Sequence, residues 1–289
     1  MRKRVKKNMR VLKELLYLRF HGLVVFRLDF FGPFFVDGSL FFIQLFAFEA
    51  VYSNVTTIGG WGRGEMILYI GTFSLLNAVN MTIYFFGVNG IPDKVKSGEL
   101  DLYLTKPVSP LFRLTFEHMS PGSVPLILMS VCMIVYGAGH LNANSEIVRV
   151  QEEAVRQFSD SRLVGALPAE RIAAYVFWVL IMEILYYEME VLMRSVSLYL
   201  VSMARMEQIE VAGTDLCMKL PGIAFYGIYK VIFYMILPYG IMATLPVQSL
   251  IGEMNWRLGI FGVSIVLVFS VLTVVVWKRG LKHYNSASS

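Results

Sequence analysis

The sequence predicts an all-α integral membrane protein: six transmembrane helices behind an N-terminal amphipathic interfacial helix. Three observations carry this. Of 289 residues, 56% are hydrophobic and only 16% charged, against about 25% charged in a soluble domain. Six apolar runs, at 34–57, 66–90, 121–141, 172–193, 225–246 and 259–277, approach or exceed the ~20 residues that a helix needs to cross a bilayer. The basic residues are shared unevenly between the segments joining those runs, as a membrane topology requires. A barrel is excluded, because the runs lack ten-residue alternation and a backbone in lipid must satisfy its own hydrogen bonds.

Residues 1–30 read as a basic cytoplasmic N-terminal segment and residues 31–289 as the six-span domain. The net charge of +5 is concentrated in residues 1–19, which hold eight Lys/Arg and one Glu. Val5, Met9, Leu12 and Leu16 recur at helical spacing beside a stripe of Lys6, Arg10 and Lys13. That is the pattern of a helix lying in the interface with its basic face towards anionic headgroups. Membrane lipid, and not nucleic acid, is therefore the expected partner of this charge. Arg19, Arg27 and Asp29 interrupt any hydrophobic core of a cleavable signal, so the segment is expected to be retained.

Orientation follows from Lys/Arg near the span ends. With the N-terminus inside, the inner segments 1–19, 92–120, 202–222 and 278–289 hold 17 and the outer segments 58–65, 142–171 and 247–258 hold six. Both termini are expected in the cytoplasm, with the spans in the cell's inner (plasma) membrane. The external loop 142–171 carries a helical apolar rhythm at Ile147, Val150, Ala154 and Phe158, which suggests an added external helix or a tolerated insertion.

Enzyme motifs are missing: no phosphate loop, no zinc-protease or serine-hydrolase signature, and His21, His118, His140 and His283 are dispersed. The chain is expected to be no enzyme and to bind no metal. Cys132 and Cys217 lie too far apart in differing contexts to suggest a disulfide framework. The run GGWGRGEM at 59–66 reads as a turn between spans with Trp61 as an interfacial anchor. Phe30, Phe31, Phe34, Phe35, Phe41 and Phe42 exemplify an aromatic load assigned chiefly to lipid contact and helix packing.

The polar connector at 90–112 is more informative. Pro92 starts a short helix, Gly98 breaks it, and Pro107 with Pro110 fixes a rigid exit. Asp93, Lys94, Lys96, Glu99, Asp101 and Lys106 alternate in sign around Leu100, Leu102 and Leu104. Such an element suits docking of a soluble partner, although an ordinary solvated loop has a similar composition.

Charged groups also fall inside the spans, where each must face protein or water. Glu183, Tyr187, Glu190 and Arg194 share one face of the fourth span, and Glu190 with Arg194 is a helical i,i+4 pair. Glu183, Lys230 and Glu49 have no local partner in sequence. Either they form ion pairs between spans, Glu183 with Lys230 for example, or they line a path for a cationic or amphipathic cargo.

The stretch SGELDLYLTKPVSPLF at 97–112 resembles the cytoplasmic signature of a subfamily of type-2 ATP-binding-cassette (ABC) transport permeases. The GGW turn at 59–61, LPGIAFYGIYK at 220–230, ILPYGIMATLP at 236–246 and the ending GLKHYNSASS at 280–289 extend the resemblance in order along the chain. It implies a permease that pairs with itself or with a paralogous permease, above two cytoplasmic ABC ATPase subunits that use ATP and Mg. This chain itself would bind no cofactor. Residues 91–107, within the cytoplasmic loop 91–120, would form the coupling segment, with Asp93, Gly98, Glu99, Asp101, Lys106 and Pro107 at the matching positions. Pro238 and Pro246 would mark an outer gate where a span turns back before leaving the membrane. The implied function is export of a drug, antimicrobial peptide or lipid-like molecule. The competing reading, an ATP-independent channel or ion-coupled carrier, accounts for the buried charges but lacks apparent inverted repeats with paired broken helices.

Overall fold

The computed structural model describes residues 10–17, 27–153, 167–199 and 204–284. Among these the chain forms helices and their connections, without a strand beyond one bridge between Ile58 and Trp61. Residues 10–17 form α1. It is followed by α2 (Arg27–Tyr52), α3 (Arg63–Ile83), α4 (Phe85–Asn89), α5 (Ile91–Ser97), α6 (Asp101–Leu104), α7 (Pro110–Glu117) and α8 (Val124–Glu153). The second half holds α9 (Ala169–Ser195), α10 (Ala204–Lys219), α11 (Gly227–Val231) with a π turn over Ile232–Ile236, α12 (Tyr239–Met242), α13 (Thr244–Ile251) and α14 (Trp256–His283).

Among the described residues, four stretches are long and apolar enough to cross a membrane: Arg63–Ile83, Pro121–Leu141, Ala169–Leu198 and Trp256–His283. They coincide with the second, third, fourth and sixth expected spans. The first expected span lies largely on α2, a single helix of 26 residues that starts at Arg27, so the boundary drawn at 30/31 falls inside a helix. In α1, Leu12 and Leu16 are half-buried while Arg10 and Lys13 are exposed. Val5, Lys6, Met9 and Arg19 lie outside the described residues, as do the side chains of Phe30, Phe31, Phe34 and Phe41.

The core is built around α3, buried through most of its length. Small residues set how closely its neighbours approach, as in membrane helix packing generally. A Cβ added at Gly137 of α8 would stand 2.7 Å from the backbone nitrogen of Leu68, and one at Gly262 of α14 would meet Leu245 and the Trp178 ring at 2.6 and 2.8 Å. Methionines and aromatics, among them Met66, Phe73, Met182 and Tyr239, fill the remaining space.

Each end of the bundle has a recognisable marker. At one end, called here the turn end, Gly59 and Gly60 take left-handed conformations (φ 62° and 92°) that only glycine adopts cheaply. The turn buries Trp61, whose Nε1 donates to Glu253 at 3.2 Å and whose carbonyl accepts from Tyr52 at 2.9 Å. At the other, the connector end, α4 to α7 cap α9 and α14.

The fifth expected span requires correction. Residues 225–246 form no straight helix: Gly227–Ile236 and Tyr239–Ile251 meet at 79°. The first limb starts and the second limb finishes at the turn end. Ile223 and Ala224 press against Gly59, while Glu253 holds Trp61. The tip at Tyr239 reaches inward to Tyr186. The segment is therefore a re-entrant hairpin. Beside it runs α10, which the sequence placed in a cytoplasmic segment, 202–222, and which extends along the bundle. Glu210 of α10 meets Arg194 at the connector end, and seven and ten residues later the backbone carbonyls of Cys217 and Leu220 accept from Tyr69 near the turn end. Hydropathy passed over α10 because Glu207, Glu210, Asp215 and Lys219 dilute its apolar residues; those groups are partnered inside the protein or lie at the helix ends.

A second difference concerns 142–171. The helix α8 continues past 141 to Glu153, so Ile147 and Val150 prolong the third span's helix and form no separate one at that point. Ala154 and Phe158 lie outside the described residues.

Candidate functional site

The connector is built much as its composition suggests. Pro92 sits at the start of α5, where the missing N–H is harmless. Asp93 in the first turn and Lys94 with Lys96 in the last complement the helix dipole. Gly98 then caps the helix in the left-handed conformation at φ 76°, which turns the chain so that Leu100 N donates to Lys94 O at 3.1 Å. Ile91, Leu100 and Leu114, all fully buried, join Val191, Leu198 and Trp277 in a second apolar cluster. A close approach at Gly87, where a Cβ would lie 2.0 Å from the Leu114 carbonyl oxygen, locks α4 on α7.

Tyr103 is the hub of this block. Its ring lies under the Arg113 guanidinium, 4.9 Å from the centroid, and Arg113 pairs with Glu117 at 3.3 Å. Burial and the neighbouring Glu117 carboxylate push the Tyr103 hydroxyl up to about 12. Burial opposes ionisation of Glu117, but the hydrogen bond from Tyr103 and the Arg113 guanidinium outweigh it and hold that carboxyl below its ordinary value. Tyr284, just past α14, is raised by burial and by the facing Asp101, which ties the end of the last long helix to α6.

The outward face of the block carries Asp93, Lys96, Glu99, Lys106 and Pro107 exposed, with Gly98 and Asp101 half-buried. Leu102 (62% exposed) and Leu104 (41%) stand among them. Of the three connector leucines, only Leu100 belongs to the core. The result is an apolar pair in a ring of mixed charge on a rigid base, a surface able to seat a protein groove.

The intramembrane charges are arranged differently from the simplest expectation. Glu183 does not meet Lys230; it accepts from the Tyr84 hydroxyl at 2.8 Å. Lys230 is exposed on α11, its Nζ 5.4 Å from the Tyr234 ring centroid. Glu49 pairs with Arg63 on the exposed surface of the turn end, so it is no midplane charge. Tyr187 shares a 2.8 Å hydrogen bond with Thr115 of α7. Glu190 does pair with Arg194, at 3.7 Å, but a partner that the sequence did not reveal, Glu210, binds the same guanidinium more closely. Asn89 accepts from Arg194 Nε at 2.9 Å and Asn80 donates to Glu190 at 3.3 Å.

A cavity of about 750 Å³ opens between α2, α3, the start of α8 and the end of α10. Its wall is mainly apolar, as at Phe48, Ile70 and Met129, with Ser74, Asn77, Ser130 and the Asp215–Lys219 pair as polar points. Asn77 accepts from Tyr186 at 3.3 Å. None of Glu49, Glu183, Tyr187, Glu190, Arg194 and Lys230 lines it. Asp215 and Lys219 escaped notice because their segment read as a cytoplasmic connector. Of the two prolines expected at an outer gate, Pro238 stands at the hairpin bend, whereas Pro246 lies in the first turn of α13, where no intrahelical N–H bond is lost. Among the described residues, no group of three or more His, Cys, Asp or Glu is placed to hold a metal ion.

A family model described as ABC-2 family transporter protein matches residues 39–150 and 164–288. No curated protein and no solved structure matches the chain.

Proposed function

The chain belongs to the ABC-2 family of transporter proteins, and on that footing we propose that it is the transmembrane permease of an ATP-driven exporter. Two cytoplasmic ABC ATPase subunits, which use ATP and Mg, dock on the 91–107 face. A second permease, identical or paralogous, completes the path. Six crossings by α2, α3, α8, α9, α10 and α14 put both termini and the connector end in the cytoplasm of the inner (plasma) membrane. The amphipathic α1 then lies along the inner leaflet.

One observation carries the docking assignment: Leu102 and Leu104 are exposed among alternating charges on a block whose other side is keyed into α9 and α14. A partner that closes beneath this block moves those long helices through Val191, Leu198 and Trp277, because a packed core transmits displacement rather than absorbing it. Asp93, Glu99, Asp101 and Lys106 set the register of docking, and Gly98 and Pro107 its rigidity. The cavity beside α2 and α10 supplies an apolar surface with few polar points, suited to a drug, antimicrobial peptide or lipid-like cargo. The hairpin bent at Pro238 supplies the outer gate.

The test is copurification. Tagged full-length protein from its own host is expected to bring down an ABC ATPase, and Leu102→Glu with Leu104→Glu is expected to lose it while elution as a folded species in detergent is unchanged. Absence of any ATPase with the unaltered chain would overturn the reading in favour of a channel or ion-coupled carrier. Retention by the double variant would leave the exporter and remove this docking face.

A further inference from the structure

Behind the connector, the contact between α9 and α10 contains a charge imbalance that the transport reading does not use. Glu190 and Arg194 of α9 and Glu210 of α10 are each at least 95% buried. Arg194 is bonded to both carboxylates and to Asn89. Among the described side chains it is the sole cation at the site, so two acids share one guanidinium. Glu190 faces Nη2 and Glu210 faces Nη1 of that one guanidinium, so two like charges crowd a single counter-charge, an arrangement that favours a proton on the pair.

The polar atoms around the pair point the same way. Among the described residues, Glu190 Oε2 and Glu210 Oε1 have no hydrogen-bond partner, and neither do Asn80 Oδ1 and the Tyr239 hydroxyl. Asn80 and Tyr239 are themselves 1% and 0% exposed, and Tyr239 lies in the electrostatic field of both acids. A second buried negative charge without a counter-charge is costly. A metal cation is disfavoured by the adjacent guanidinium, whereas a proton removes the charge and supplies the missing donor.

We propose that Glu190 and Glu210 hold one proton between them beside Arg194, forming a neutral proton-binding site at the joint between α9 and α10. Since one acid belongs to each helix, separating the helices breaks the contact and admits water, and the proton leaves to solvent. Motion at this joint thereby carries a proton. The other titratable groups facing the site are Glu183 and Tyr186 of α9, Tyr84 at the α3–α4 break, Glu207 of α10 and Tyr239 at the hairpin tip; Asn80 and Asn89 face it from α3 and α4 without titrating. The assignment stands whether or not an ATPase docks below.

Infrared spectroscopy of the full chain in lipid nanodiscs, in H2O and D2O at neutral pH, tests it through the carbonyl stretch of protonated carboxylic acids. Glu183→Gln with Glu188→Gln silences the other buried acids. In that background one acid band is expected, and it is expected to vanish on adding either Glu190→Gln or Glu210→Gln, because each leaves a single carboxylate for Arg194. No band in the background, or persistence in either variant, overturns the shared proton. Should one added variant fail to fold, the background band and the other variant decide.

Discussion

Tyr84, at the break between α3 and α4, donates a 2.8 Å hydrogen bond to Glu183 of α9. Glu183 Oε2 has no partner, so this bond is the acid's single anchor among the described residues. The pair links the start of the connector block to the middle of the fourth long helix. Tyr84→Phe is expected to cost roughly 1–3 kcal/mol, the penalty of stranding a buried polar group, read as a lower thermal midpoint in detergent. Glu183→Gln keeps an acceptor for Tyr84 and lines no cavity, so transport is expected to persist. Loss of transport at unchanged stability would place Glu183 on the path after all.

The approach of α3 and α8 yields a paired test. Gly137→Ala would put a Cβ 2.7 Å from Leu68 N, whereas Gly139, two residues on, has nothing within 4 Å. Gly137→Ala is expected to destabilise by roughly 1–3 kcal/mol through overpacking, and Gly139→Ala to be neutral or slightly stabilising. Thermal unfolding of the two variants separates backbone contact from a generic glycine effect; equal midpoints would remove the contact.

Sidedness of α10 is checked by thiol labelling. In a Cys132→Ser, Cys217→Ser background, Lys219→Cys is expected to react with an impermeant maleimide added outside intact cells, because Lys219 stands exposed at the turn-end terminus of α10. Glu207→Cys is expected to react only after permeabilisation. The reverse pattern, or equal reaction of both from inside, would return 202–222 to the cytoplasm.

The connector should loosen in acid. Glu117 has a lowered carboxyl, so its stabilisation is present above its unfolded value and is lost as pH falls through the folded one. Hydrogen exchange at the amides of α6, corrected for intrinsic rate, is expected to accelerate relative to α3 over that acidic window. Glu117→Gln is expected to abolish the pH dependence, and Tyr103→Phe to reproduce part of the loosening at neutral pH. An unchanged pH dependence in Glu117→Gln would assign it to another group.

What could be read along the chain and what could not divide by the range of the interaction. Pro92, Gly98 and the Asp93/Lys96 polarity act within one or two turns, so the short helices of the connector were legible where they stand. The pairing of Glu190 with Arg194 was legible for the same reason. Glu210 and Asn89, which complete that cluster, lie 16 and 105 positions from Arg194, and nothing local marks them. Glu183 illustrates the opposite error, since an acid without a nearby counter-charge invited a cationic partner, Lys230, while the partner it finds is a tyrosine hydroxyl.

The sequence by itself determined that this is a helical membrane protein, where four of its long apolar helices lie, and that it resembles ABC permeases. Hydrophobic length and turn chemistry are local properties, and a bilayer leaves the backbone little other choice. Only the tertiary structure decided that α10 runs along the bundle between Arg194 and Tyr69, and that 225–246 is sharply bent. A polar helix can run the length of the bundle when its charges meet Arg194 inside or pair near its end, as Asp215 does with Lys219. An apolar segment can stop short when a bend at Pro238 and contacts with Gly59 and Trp61 return it to the side it entered from. Hydropathy measures what a helix would gain from lipid; the partners it finds in protein are set by the fold.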